Sequence, residues 1–161
     1  MEQDFLKDLE FLGVTARIKR LSDSLFYSIK ELYNSQNIDI EPSWHLVLLI
    51  LKEKEKISMM EMAEMLNLSK PAVTKLITKM QQMRYVIIVS DKNDARKKML
   101  ELSEKAKHKL PRFEKIWEAG QKAVQQILEG NPHFMEALSE FERKHSEESF
   151  SKRATKNLLN D

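Results

Sequence analysis

Two helix starts stand one short helix apart near the middle of the chain, and they leave little freedom in how the segment around them can fold. Ser58-Met59-Met60-Glu61 has capping-box form: the serine oxygen can accept from the Glu61 backbone N–H while the glutamate reaches back to the serine N–H. Ser69 is a second N-cap residue, with Pro71 in the first turn after it, where a helix tolerates a missing N–H. A helix through Met62, Ala63 and Leu66 must therefore stop near Asn67. The next, Lys70 to about Met83, buries Val73, Leu76, Ile77 and Met80 at helical spacing and shows Lys70, Thr74, Lys75, Thr78, Lys79 and Gln82 on its other face. Tyr85 to Ser90 and Lys98 to Leu102 then read as two short strands, joined by the charged loop 91–97. Helix, turn, helix and hairpin in this order make a winged module.

The rest of the chain carries helical periodicity. Phe5, Leu9, Leu12, Val14, Ile18, Leu21, Leu25, Ile29 and Leu32 predict one long first helix ending in the polar cluster 34–37. A second, Pro42 to Lys54, is apolar nearly all round at its centre. Ser103 caps a further helix through Leu110, Phe113, Ile116, Trp117, Val124, Ile127 and Leu128, which Pro111 should kink or delay. Gly130-Asn131-Pro132 separates it from a last helix with Phe134, Leu138 and Phe141 on one stripe. From Ser146 the chain is polar, and a frayed tail is expected. The fold class is mainly α with a small β-hairpin wing. It divides into helical dimerisation segments at 1–36 and 103–150, a winged helix-turn-helix at 42–102 and a polar tail at 151–161.

Several function classes drop out on composition. Only 3 of 161 residues are glycine, where average usage would give about eleven, so neither a dinucleotide-binding nor a Walker phosphate loop can be built. Cysteine is absent, which removes disulfides, thiolate metal ligands, cysteine nucleophiles and thiol redox sensing. No Ser/His/Asp grouping or carboxylate pair stands out, so an enzyme is not expected, nor a cofactor. The longest apolar run, Leu46 to Leu51, is far short of the roughly 20 residues of a membrane span, and the start of the chain is acidic; a cytoplasmic protein without a membrane partner is expected. The formal net charge of +2 hides an uneven division. Ser69 to Lys109 holds eleven basic residues against four acids, a balance of +7, and the remainder stands at −5. That is the footprint of a surface for a polyanion such as nucleic acid; the alternative, a solvated face with i,i+4 pairing, lacks enough acids inside the stretch.

The segment Ile57 to Leu102, ISMMEMAEMLNLSKPAVTKLITKMQQMRYVIIVSDKNDARKKMLEL, resembles the winged helix-turn-helix of the MarR family of bacterial transcription regulators. The alanine and leucine of MAEML, the SKPAVTKLI of the second helix, and the Asp-Ala-Arg and LxLS elements of the wing carry the likeness. It implies a homodimer on double-stranded DNA at a pseudo-palindromic operator, repressing in many members, with release by a small-molecule effector. It places recognition-helix contacts on Ser69, Lys70, Thr74, Lys75 and Thr78, with Arg96 in the minor groove and Asp94 orienting it; the charge and position of Lys79 suit a phosphate, and Lys98 is a further DNA-binding candidate. By position, an effector pocket would involve Tyr33, Trp44 and His45, which read equally well as plain core. Three residues depart from the family pattern. Ala95 replaces a second cation, Arg84 stands where a glycine usually ends the second helix, and Ala106 replaces a glycine after the wing. Positive φ at Arg84, or a different helix exit, is the expectation.

Dimerisation also has a reason in the residues. Stripes containing Phe5, Leu9, Leu12, Phe113, Trp117, Phe134 and Phe141 exceed what a small winged module can cover; the alternative is a monomer that folds these helices back on itself. Among the histidines, His45 and His108 could join Glu41 as metal ligands only through dimer contacts, and no metal site is expected. The competing functional reading is a MarR-like dimer that senses a ligand or binds a protein partner without specific DNA binding.

Overall fold

The structure is a computed structural model that describes residues 4–91 and 97–159. The chain separates into two compact units, Met1–Lys115 and Ile116–Asp161.

The first unit opens with α1 (Phe5–Asp8), a 3-10 turn (Glu10–Gly13) and α2 (Val14–Ser35), not with the single helix that the periodicity suggested. Gly13 explains the break: a Cβ there would lie 2.3 Å from the Leu6 carbonyl oxygen, so only glycine lets the chain fold back so tightly. The fold-back is held by Arg20, whose guanidinium forks onto Asp4 at 3.0 and 2.7 Å. In one continuous helix these residues would stand about 24 Å apart.

Helix α3 (Trp44–Lys54) starts two residues later than its proline suggested, with Pro42 and Ser43 in a preceding turn and Trp44 N–H donating to Glu41 O at 2.9 Å. It buries Trp44, Val47, Leu48 and Leu51 but leaves Leu46 and Leu49 exposed, so it is one-sided rather than apolar all round. Strand β1 (Lys56–Ser58) was not anticipated, because three residues are too few to show alternation. It pairs antiparallel with β3 (Lys98–Leu102), which also pairs with β2 (Val86–Ser90), in the order β1-β3-β2. Between β1 and β2 run α4 (Met59–Leu66) and α5 (Lys70–Gln82). The core lies under these elements: Val47, Leu48, Met62, Ile77, Met80, Tyr85 and Leu100 are fully buried.

Helix α6 (Glu104–Ile127) starts on its serine cap, Ser103 Oγ accepting from Ala106 N–H at 3.0 Å, and carries Pro111 in its interior. The proline does not delay it. Ala106 is helical and buried.

In the second unit α7 (His133–Glu147) follows the end of α6, Asn131 Oδ1 accepting from His133 N–H at 2.9 Å. The expected tail from 151 is instead α8 (Phe150–Leu159). Ser149 Oγ accepts from Lys152 N–H, and the Arg153 guanidinium holds the Glu148 and Lys144 carbonyls at 3.1 and 3.0 Å. Phe150, Leu158 and Leu159 on α8 are exposed, and this apolar spacing was masked in the sequence by the polar residues around it.

Scarce glycine leaves a mark on the helix exits. Helices α2, α4, α5 and α6 end in the same double hydrogen-bond pattern, with Ile38 N–H on Tyr33 O, Leu68 on Ala63, Tyr85 on Met80 and Gly130 on Gln125. The left-handed position that glycine favours in this motif is filled by Asn37, Asn67, Arg84 and Glu129, with φ of 52, 50, 60 and 51°.

Candidate nucleic-acid interface

The capping box forms as the sequence predicts: Glu61 N–H donates to Ser58 Oγ at 3.2 Å and Ser58 N–H to Glu61 Oε2 at 2.9 Å. Asn67 then turns the chain, and Ser69 Oγ accepts from Ala72 N–H at 3.4 Å to start α5. With Val73, Ile77 and Met80 buried, the opposite face of α5 must be outward. Ser69, Lys70, Thr74, Lys75, Thr78 and Lys79 are all exposed there. Thr74 Oγ1 donates to Lys70 O at 2.9 Å and Thr78 Oγ1 to Thr74 O at 2.8 Å. Lys70, Lys75 and Lys79 have no acidic partner among the described residues, so their charge is available to an outside anion.

Lys98 opens β3, exposed, opposite Ser90 of β2. The loop between these strands is closed at its base by Asp91 N–H donating to Lys97 O at 2.9 Å. Asp94 and Arg96 lie outside the described residues.

The exit of α5 has positive φ at Arg84, one of the two expected outcomes. Arg84 N–H donates to Gln81 O at 2.9 Å, and its carbonyl accepts from Ser103 Oγ at 2.6 Å. Ser103 thus caps α6 and fixes the strained residue that ends α5.

Beside this exit lies a cluster that sequence reasoning missed. Asp39, in the loop after α2, accepts from the Tyr85 hydroxyl and from the ammonium groups of Lys105 at 3.0 Å and Lys109 at 2.7 Å. Lys105 also stands 4.1 Å above the Tyr85 ring centre and donates to Met83 O at 2.9 Å. Tyr85 is fully buried, edge-on to Trp44 at 5.8 Å and tilted against Phe113 at 5.9 Å. Burial works to raise the Asp39 carboxyl, but the hydrogen bonds from Lys109, Tyr85 and Lys105 outweigh it and hold the group well below the usual carboxylate range. Burial, reinforced by Asp39, pushes the Tyr85 phenol far up, so it stays a donor. Two cations of the basic segment are therefore held by an acid outside it, and Lys107 pairs at 2.7 Å with Glu104, one of the four acids inside it, so fewer of its cations are open than the count along the chain suggests. No local spacing could have signalled Asp39, because Tyr85 and both lysines are distant in sequence. Phe113, assigned from the sequence to an uncovered stripe, belongs to this core and is 1% exposed.

Of the residues expected at an effector pocket, Tyr33 and Trp44 are each 3% exposed, and His45 Nδ1 lies 2.6 Å from Pro42 O. A cleft of about 460 Å3 opens elsewhere, between Leu51, Lys56, Leu102 and Leu110, and includes none of the three. Among the described residues no three His, Asp or Glu side chains converge as a metal site requires.

Residues 38–97 match the sequence profile described as the MarR family, a stretch that runs from the loop holding Asp39 to the foot of β3. The winged module is thus similar in sequence to that of the MarR family. Solved structures of MarR-family proteins share the fold over most of the chain. A MarR protein from Peptoclostridium difficile is 20% identical with a TM-score of 0.70, covering 94% of this chain and 98% of its own. The transcriptional repressor CouR, solved on a DNA duplex, is 18% identical with a TM-score of 0.69, covering 91% and 99%. A mutant MarR from E. coli, solved with operator DNA, is 16% identical with a TM-score of 0.68, covering 88% and 98%. At these identities the likeness is one of fold. No curated protein matches the sequence. No described helix is long and apolar enough to cross a membrane.

Proposed function

We propose that this chain is a sequence-specific DNA-binding transcription regulator, with no catalytic activity of its own, that acts as a homodimer on a pseudo-palindromic operator and represses by occupying it. The observation that carries the proposal is the outward face of α5, opposite its buried Val73, Ile77 and Met80: three lysines with no acidic partner among the described residues and a row of hydroxyls. Such a face fits the major groove, with Ser69, Lys70, Thr74 and Thr78 toward base edges and Lys75, Lys79 and Lys98 toward phosphates. The family resemblance adds Arg96, oriented by Asp94, in the adjacent minor groove, where narrow width concentrates negative potential. Two copies are supported by what one copy leaves open. Phe5, Leu12, Phe134 and Phe141 are 70, 80, 47 and 53% exposed, apolar surface that a second copy would cover. A two-fold dimer would match a two-fold operator.

Release by a small molecule at Tyr33, Trp44 and His45 requires the packed core to open, so an effector at that site would shift the Trp44 fluorescence as it lowers DNA affinity. Bacterial cytoplasm is the corresponding place of action. The decisive experiment is footprinting of the purified protein on DNA upstream of its own gene at two salt concentrations, beside an Arg96→Ala variant. A protected inverted repeat, steep salt dependence and a large loss of affinity in the variant are expected. Equal weak binding to every sequence, with the variant unchanged, would favour the ligand- or protein-binding dimer instead. Sedimentation at micromolar concentration showing only a 19.0 kDa species would remove the homodimer.

A further inference from the structure

The leading half of α5 offers DNA a restricted set of chemical groups. Lys70, Pro71, Ala72, Thr74 and Lys75 are exposed, and neither an acid nor an amide occurs from Lys70 to Met80. Internal hydrogen bonds narrow the set further. Because Thr74 and Thr78 donate their hydroxyl protons to the carbonyls one turn back, each presents outward a methyl group and oxygen lone pairs.

In the major groove, guanine offers the O6 and N7 acceptors that a lysine can meet, and thymine offers its C5-methyl to apolar side chains. Adenine is read best by an amide that donates and accepts together, and cytosine by a carboxylate. A lone threonine oxygen can accept from the exocyclic amine of either, so it does not tell them apart. Gln81 and Gln82 lie in the last turn of α5, about 15 Å along the axis from Pro71. Asn67 belongs to the turn before the helix, in its left-handed exit from α4.

We infer that α5 selects its half-site through guanine and thymine on one strand, Lys70 meeting guanine O6 and N7 while Pro71, Ala72 and the Thr74 methyl pack on thymine C5-methyl groups. This rests on the DNA-binding reading above and gives it a base-level content. Discrimination against adenine and cytosine then comes from buried methyl surface and lysine, without bidentate amide or carboxylate contacts.

The test selects sites for the full chain from random duplex DNA, then replaces each thymine of the winning half-site by deoxyuridine, which removes only the methyl group. A half-site dominated by guanine and thymine on one strand is expected. At one or more thymines the replacement should weaken binding about fourfold, the transfer value of one buried methyl or methylene group. Thr74→Ser keeps the hydroxyl and loses the methyl; it should bind the thymine and deoxyuridine duplexes alike at one of these positions. Because the deoxyuridine series uses unaltered protein, its result does not depend on how the variant folds. Thymines that all tolerate replacement, or a dominant adenine that Asn67→Ala relaxes, would overturn the inference and leave a DNA-binding regulator standing. If no sequence is enriched at any salt concentration, the DNA-binding reading itself fails.

Discussion

The basic segment contains two sets of three lysines that use equal charge in opposite ways. Lys70, Lys75 and Lys79 on α5 meet no acid among the described residues, whereas Lys105 and Lys109 grip Asp39 and Lys107 pairs with Glu104 at the start of α6. The first set is open to an outside polyanion. Of the second, Lys105 and Lys109 join the loop after α2 to α6 and to Tyr85, immediately beyond the end of α5, so their charge serves the position of α5 rather than an outside anion. Charge counted along the chain overstates the interface, because acids arrive from other parts of the fold.

The largest effect should come from the core beneath the second set. Tyr85→Ala empties the space between Trp44 and Phe113 and should cost about 4 kcal/mol in urea unfolding, whereas Tyr85→Phe, which keeps the ring, should cost about 1 kcal/mol. Similar small losses for both would show that the phenol ring is not a packing element.

The two lysine sets can be separated directly. Lys70→Ala, Lys75→Ala and Lys79→Ala combined should flatten the dependence of log affinity on log salt by about two, for the phosphate-facing Lys75 and Lys79, and leave the melting temperature in place. Lys105→Ala with Lys109→Ala should do the reverse, lowering the melting temperature while the salt slope stays within about one of the parent's. Equal slopes for both combinations would erase the distinction.

A smaller change is expected at Asp39 itself. Asp39→Asn should cost about 1 to 2 kcal/mol at neutral pH, a partly exposed but three-fold hydrogen-bonded carboxylate. Because its folded pKa lies below the unfolded value, its contribution is fully present above the ordinary carboxylate pKa of about 4 and fades as pH falls below it. The parent and variant stability curves should therefore converge in acid, and a gap that widens there would contradict the assigned pairing. The smallest effect is at Arg84→Gly, which relieves a positive φ and should stabilise by up to about 1 kcal/mol in thermal melting. A loss would mean that the arginine side chain contributes more than its backbone costs.

Much of the module was legible because its signals are local. Ser58 and Glu61, Ser69 and Pro71, and the apolar residues Val73, Ile77 and Met80 act within a turn or two of helix, and each does in the structure what its spacing indicated. The exposed face of α5 follows from them by exclusion. Other features depend on contacts across the chain and left no pattern to read. The fold-back at Gly13 needs Arg20 against Asp4, β1 exists only because β3 lies beside it, and α8 is tied at its start by Arg153 reaching the end of α7.

By itself the sequence determined where the helices of the winged module begin and end, which face of α5 turns outward, and that lysines and hydroxyls occupy it, since caps and periodicity are properties of neighbouring residues. Tertiary structure decided which of the cations remain free. Ion pairing depends on distance in space, and Asp39, which holds Lys105 and Lys109, comes from a loop more than sixty residues away from either.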